Sequence, residues 1–111
     1  MFRADQNRRI SMAVNHIVYF KFKNETTSEA IERHMNMFAE LAGKIPGITE
    51  YSAGKTFSVS YEKTGDYDVS HCLTCESREA LEVYFYHKAH QAFIEENKSI
   101  WQDVLVVNAD I

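Results

Sequence analysis

The sequence is short of most features that announce a function. Its 111 residues include two cysteines, one proline and four glycines, with no internal repeat and no low-complexity segment. That length suits one domain with a single core and is too short for two. Lys and Arg total 12 against 16 Asp and Glu, a net charge of −4, and no basic block exceeds Arg8-Arg9. Nucleic acid is therefore a poor partner. No apolar run approaches the roughly 20 residues that a helix needs to cross a bilayer, so no membrane partner is expected. The opening MFRADQNRRIS lacks the apolar segment of a secretory signal, which makes the cytoplasm the expected compartment.

Cysteine chemistry is equally sparse. Cys72 and Cys75 have the C-x-x-C spacing of a redox or zinc pair. They lie in YDVSHCLTCE, however, which reads as a strand, where residues three apart point to opposite faces. Buried strand thiols are the expectation.

What is present is a regular alternation of elements. Residues 1–12 are polar and aperiodic, and are read as an N-terminal tail to a domain over 13–111. HIVYFKFK, from His16, has the β-branched and aromatic content of a strand. Thr26 with Glu29 fits a capping box opening a helix. Along that helix Ile31, His34, Met35, Phe38, Leu41 and Ala42 form one apolar stripe, which Pro46-Gly47 ends. ITEYSAGKTFSVS reads as a strand with a bulge or bend at Gly54, YEKTGD as a turn, and YDVSHCLTCE as a third strand. Ser77 caps a second helix, SREALEVYFYH; KAHQAFIEENKSI continues it after a possible break, and WQDVLVVNAD closes as a strand. The order βαββαβ gives an α+β, ferredoxin-like domain, an antiparallel four-stranded sheet with both helices on one face. The first strand (Ile17 to Phe20) and the last (VLVV) are apolar on both sides, so the other face needs a cover. A second copy, packed sheet against sheet, is the cheapest one.

VYFYHKAHQAF, Val83 to Phe93, crowds aromatic rings and imidazoles together, although the chain has five histidines in all. On one unbroken helix Leu81, Phe85, Ala89 and Ala92 define the buried side, and His90 sits nearly opposite, in solvent. An acid–base pair of Tyr84 and His90 therefore requires a break near His87-Lys88, which a proline would encourage and Lys88 does not. With the break, an imidazole can take a proton from a carbon between two carbonyls while a phenol donates to the resulting oxyanion. His87-x-x-His90, with His71 and His34, offers a metal alternative. No acidic or cysteine ligand stands obviously beside them, and Cys72 faces away from His71, so no metal is expected.

HIVYFKFK, IPGI, GDYD, HKAHQAF and WQDVLVV, in that order and spacing, resemble the stress-responsive A/B barrel family over Ala13 to Asp110. The resemblance implies a small dimeric α+β barrel. Most members have no established activity; an enzyme among them, a plant polyketide cyclase, works by aldol condensation without a cofactor. Its acid–base tyrosine and histidine fall on Tyr84 and His90, and a histidine heading its first strand falls on His16. Its pocket positions fall on His34, Met35, Phe38 and Leu41, on Val69 and His71, and on Phe93, Trp101, Val104 and Val106. Three departures stand out. The family's histidine at Val69 is displaced two residues to His71, on the same strand face. Lys88 stands where proline is favoured, and His34 where the cyclase is aromatic. The pocket is thus more polar and more basic than the cyclase's, which argues against the cyclase's own substrate. The expected function is a homodimer binding a small metabolite in an apolar, histidine-lined pocket. The alternative is a cofactor-independent, cyclase-like enzyme using Tyr84 and His90 on a small carbonyl compound. Fold analogy alone adds a quinol-type monooxygenase.

Overall fold

The computed structural model describes residues 11–60 and 66–111. Residues 1–10 of the expected tail and 61–65 of the YEKTGD turn lie outside the described residues. The elements are β1 (Val14–Phe22), α1 (Ser28–Lys44), β2 (Ile48–Lys55), β3 (Val69–Cys75), α2 (Arg78–Tyr86), α3 (Lys88–Asn97) and β4 (Trp101–Asp110), with a short 3-10 turn, Lys98–Ile100, before β4. The sheet is antiparallel in the order β2-β3-β1-β4, and both long helical segments lie over one face. This is the ferredoxin-like arrangement that the element order predicts.

Period-two alternation decides what each strand buries. Val14, Val18, Phe20 and Phe22 of β1 and Val69, Leu73 and Cys75 of β3 point under the helices, where Phe38, Leu41, Ile45, Tyr84 and Phe93 close the core. Asn15, Ile17, Tyr19 and Lys21 take the other face of β1, opposite Ala109, Val107, Leu105 and Asp103 of β4. Cys72 lies on that outer face and Cys75 in the core, both as free thiols pushed up by burial, so the C-x-x-C spacing forms no pair.

Several local details differ from expectation. The cap of α1 is Thr27, whose hydroxyl accepts from the Ala30 N–H at 3.1 Å, one residue beyond the capping box anticipated from Thr26 and Glu29. Thr26 is held in the preceding turn by its own N–H to the Lys23 carbonyl, at 3.0 Å. Gly54 is no bulge: it pairs in register with Ser70, and the irregularity falls between Ile48 and Glu50. There the Thr49 hydroxyl donates to the Thr74 carbonyl at 3.2 Å. β2 ends at Lys55 instead of running on through Ser60. A second bulge, between Lys21 and Phe22, pairs Phe22 with Trp101 and so turns the indole inward.

Candidate active site

The helix does break, without a proline. His87 ends α2 and caps α3 at φ −60, ψ 138, an extended conformation. Its Nδ1 accepts from the Ala89 N–H at 3.0 Å, so the ring serves as an N-cap, and the neutral tautomer carries its proton on Nε2. In a continuous helix that Ala89 N–H would bond the Phe85 carbonyl. The carbonyl, released, accepts instead from His90 Nδ1 at 2.9 Å and from Gln91 Nε2 at 2.7 Å. The break thus creates the anchor that orients the imidazole.

That anchor fixes the tautomer. A carbonyl can only accept, so His90 carries its proton on Nδ1 and presents a lone pair at Nε2. Its ring lies over Tyr84, with centroids 4.3 Å apart and planes at 33°. Burial lowers the His90 pKa, partly offset by the Phe85 hydrogen bond. Tyr84 is 1% exposed, and its hydroxyl has no hydrogen-bond partner among the described residues. Burial, chiefly, pushes the phenol far above its ordinary value, so it remains a donor at neutral pH.

His16 completes the group. Its ring meets Tyr84 edge-on at 5.4 Å, and its Nδ1 lies 2.6 Å from Asn108 Oδ1, directly across the β1–β4 pairing. Burial lowers its pKa, the Asn108 bond raises it, and nearby His90 lowers it further. His16 and Asn108 line a cleft of about 540 Å3 between α2 and β4, together with Leu81, Phe85, Tyr86 and Val106 and the charged Arg78, Glu79 and Glu82. The buried side of α2 is consequently not the one drawn for a single straight helix. Tyr84 is its buried residue, while Phe85 is half-exposed at 51% and Ala92 of α3 is exposed.

A second cluster lies deeper, between α1 and the sheet. His34 (0% exposed) and His71 (1%) have centroids 5.8 Å apart. His71 stacks on Phe38 at 3.9 Å, and its Nδ1 pairs with the Tyr51 hydroxyl at 2.8 Å. Both nitrogens of His34, Nε2 of His71 and Nε1 of Trp101 are buried and unpartnered among the described residues. Each such atom costs on the order of 1–3 kcal/mol. Burial lowers His34 to about 4; burial, and secondarily His34, lowers His71 to about 3.

The structure therefore brings Tyr84, His90 and His16 together, and gathers His34, Phe38, His71, Phe93 and Trp101 around Phe20. Leu41 and Val69 are core residues and Met35 packs against them half-buried, whereas Val104 and Val106 are exposed on β4. Among the described residues no three His, Cys, Asp or Glu side chains are grouped to hold a metal ion. His87 as a cap, Asn108 as the partner of His16 and Tyr51 as the partner of His71 were invisible in the sequence. The first needed recognition that an imidazole can cap, and the other two depend on strand register.

Comparison with known proteins follows the same lines. Residues 14–111 match the family model described as Stress responsive A/B Barrel Domain. Over 95 residues the chain is 30% identical to olivetolic acid cyclase of Cannabis sativa, covering 86% of this chain and 93% of that protein. Hydroxynitrile lyase of Passiflora edulis shares the fold with a TM-score of 0.83 at 20% identity, over 92% of this chain and 95% of its own. An Arabidopsis thaliana protein does so with a TM-score of 0.80 at 28% identity, over 88% and 94%. A Thermobifida fusca protein described as a dimeric ferredoxin-like protein has a TM-score of 0.77 at 20% identity, over 91% and 92%. With the family model matched over every element from β1 to β4, this chain belongs to the stress-responsive A/B barrel domain family.

Proposed function

We propose that the protein is a homodimer that performs cofactor-independent acid–base chemistry on a small carbonyl compound. The observation that carries this reading is the His90 imidazole, tautomer-locked by the Phe85 carbonyl and lying on a buried phenol whose hydroxyl is unpartnered among the described residues. Nε2 of His90 takes a proton from the carbon between two carbonyls, and the Tyr84 hydroxyl donates to the oxyanion that forms. Lowered pKa values keep His90 and His16 neutral, which a base requires. His16, the deeper positions His34, Met35, Phe38, Leu41, Val69, His71, Phe93 and Trp101, and the exposed Val104 and Val106 are assigned to the ligand. Similar proteins bearing the names of a cyclase and a lyase support small-molecule chemistry on this scaffold.

The dimer is assigned to the outer sheet face, where Ile17, Tyr19, Leu105 and Val107 form an apolar stripe on β1 and β4. Neighbours described as dimeric support it. The two free thiols suit the cytoplasm, the compartment we assign. Among the described residues no helix is long and apolar enough to cross a membrane.

A second reading, a dimer without turnover whose pocket holds an apolar metabolite or nothing, is favoured by one observation. His34, Phe38, Leu41, Val69, His71 and Phe93 are between 0% and 3% exposed, packed on one another. Deuterium exchange at the central carbon of small β-diketones, followed by NMR, separates the two. We expect His90→Ala to slow exchange by on the order of 100-fold or more, with the dimer intact by size exclusion. Unchanged exchange in that variant removes the catalytic reading and leaves the binding protein.

A further inference from the structure

Of the five buried polar atoms without a partner among the described residues, the proposed chemistry uses one, the Tyr84 hydroxyl. The other four belong to His34, His71 and Trp101, and acid–base chemistry at His90 leaves them unexplained. They come from three different elements, α1, β3 and the head of β4, yet all three rings pack on Phe20, at 4.5, 5.6 and 4.9 Å. A phenylalanine at position 34 would keep the ring contacts to Phe20, Phe22, Phe93 and Trp101 with no unsatisfied atom of its own. Imidazoles so deeply buried and unpartnered among the described residues point to something that hydrogen-bonds them.

The donor inventory defines its chemistry. The Tyr51 hydroxyl and His71 Nδ1 satisfy one another, which leaves Nε2 as the free atom of the His71 ring, a donor where the phenol donates to Nδ1 and an acceptor where it accepts. Trp101 Nε1 can only donate, and neutral His34 offers one donor and one acceptor. The indole N–H of Trp101 and the one N–H of neutral His34 are two donors whatever the His71 tautomer, so the complementary group is an oxygen with free lone pairs. We infer that His34, His71 and Trp101 recognise an oxygen-bearing end group, a ketone or a carboxylate, on a small ligand whose opposite end reaches Tyr84 and His90. The inference rests on the catalytic reading for its second end.

Strand register sets the length of that ligand. His16, beside Tyr84, stands across from Leu73 on β3; Val18 stands across from His71, and Phe20 across from Val69. Two to four residues of β1 separate the two ends, roughly 7–13 Å at about 3.3 Å per residue. Leu73, level with His16, and Val18, level with His71, are both buried and apolar. The ligand class is thus a short acyl or aryl carbonyl compound, apolar in the middle and oxygenated at both ends. A plain alkyl tail would leave the Trp101 and His34 donors unpaired.

Isothermal titration with three matched probes tests this. Each is an unbranched β-diketone of one length, ending in a methyl group, a methyl ketone or a carboxylate. The oxygen-ended probes are expected to bind about tenfold tighter than the methyl-ended one, the ratio for roughly one net hydrogen bond. His34→Phe should abolish that preference while raising the melting temperature. Trp101→Phe, which keeps a ring and removes one donor, should reduce it if His34→Phe does not fold. His90→Ala should abolish exchange and leave the preference intact. A preference that remains while exchange survives in His90→Ala overturns the catalytic reading alone. Equal or tighter binding of the methyl-ended probe, a preference that persists in both ring variants, or no binding of any probe overturns this inference.

Discussion

Acid stability offers the sharpest test of how dry the inner cluster is. His34 is fully buried among Phe20, Phe22, Phe93 and Trp101, with His71 as its titratable neighbour. Burial holds it at about 4 against an ordinary 6.5, so charging it in the folded state costs ~3 kcal/mol. His71, held at about 3, adds a cost of the same order. Against a typical stability of ~5–15 kcal/mol, such a pair matters. The sign follows from linkage. The folded pKa lies below the unfolded one, so this contribution is complete above pH 6.5. It is lost as pH falls, because the unfolded chain takes up the proton first, and the loss is complete only below the folded pKa. Between about pH 5.5 and 4.5 an unfolded histidine is almost fully charged while folded His34 is largely neutral. Removing that one proton by His34→Phe should reduce the slope of unfolding free energy against pH by ~1 kcal/mol per pH unit. Urea titrations of both proteins at several pH values measure it, and carboxylate titration, common to both, cancels in the difference. Parallel slopes would refute the claim that burial keeps this imidazole neutral.

Lys88→Pro should stabilise the fold by about 0.4–1 kcal/mol, because Lys88 is the first residue of α3 and His87 already has the extended ψ of 138 that precedes a proline. A loss in urea denaturation would contradict the assigned break. Gly47→Ala should destabilise by roughly 1–3 kcal/mol, since φ is +93 and a Cβ there would approach the Ala80 Cβ to 2.9 Å; a neutral effect would show that this turn relaxes freely. Leu105→Glu, on the outer sheet face and 42% exposed, should give monomers by sedimentation. An unchanged dimer mass would move the interface to another surface.

Much of the fold was legible because strand and helix periods write themselves into apolar spacing. β1, β3, β4 and the stripe along α1 all appear where alternation or three- and four-residue recurrence places them. The errors fell where hydrogen bonds too local for periodicity compete. Thr26 and Thr27 are equivalent by composition, and only the turn closed on the Lys23 carbonyl selects Thr27 as the cap. Gly54 looked like the irregular point of β2, yet the Thr49 hydroxyl marks the real one. The helical reading of VYFYHKAHQAF also placed Phe85 inward, although it is half-exposed.

The candidate site divides in the same way. By itself the sequence determined that Tyr84 and His90 stand six residues apart in the chain, that His71 points to the same face as Val69, and that His90 needs a break to turn inward. Those are consequences of bond geometry along one chain. Tertiary structure alone decided that the break exists, because it depends on which acceptor takes the Ala89 N–H once both segments are packed. It also decided that Asn108 meets His16 and that three polar rings converge on Phe20, since these contacts join residues far apart in sequence through register and burial.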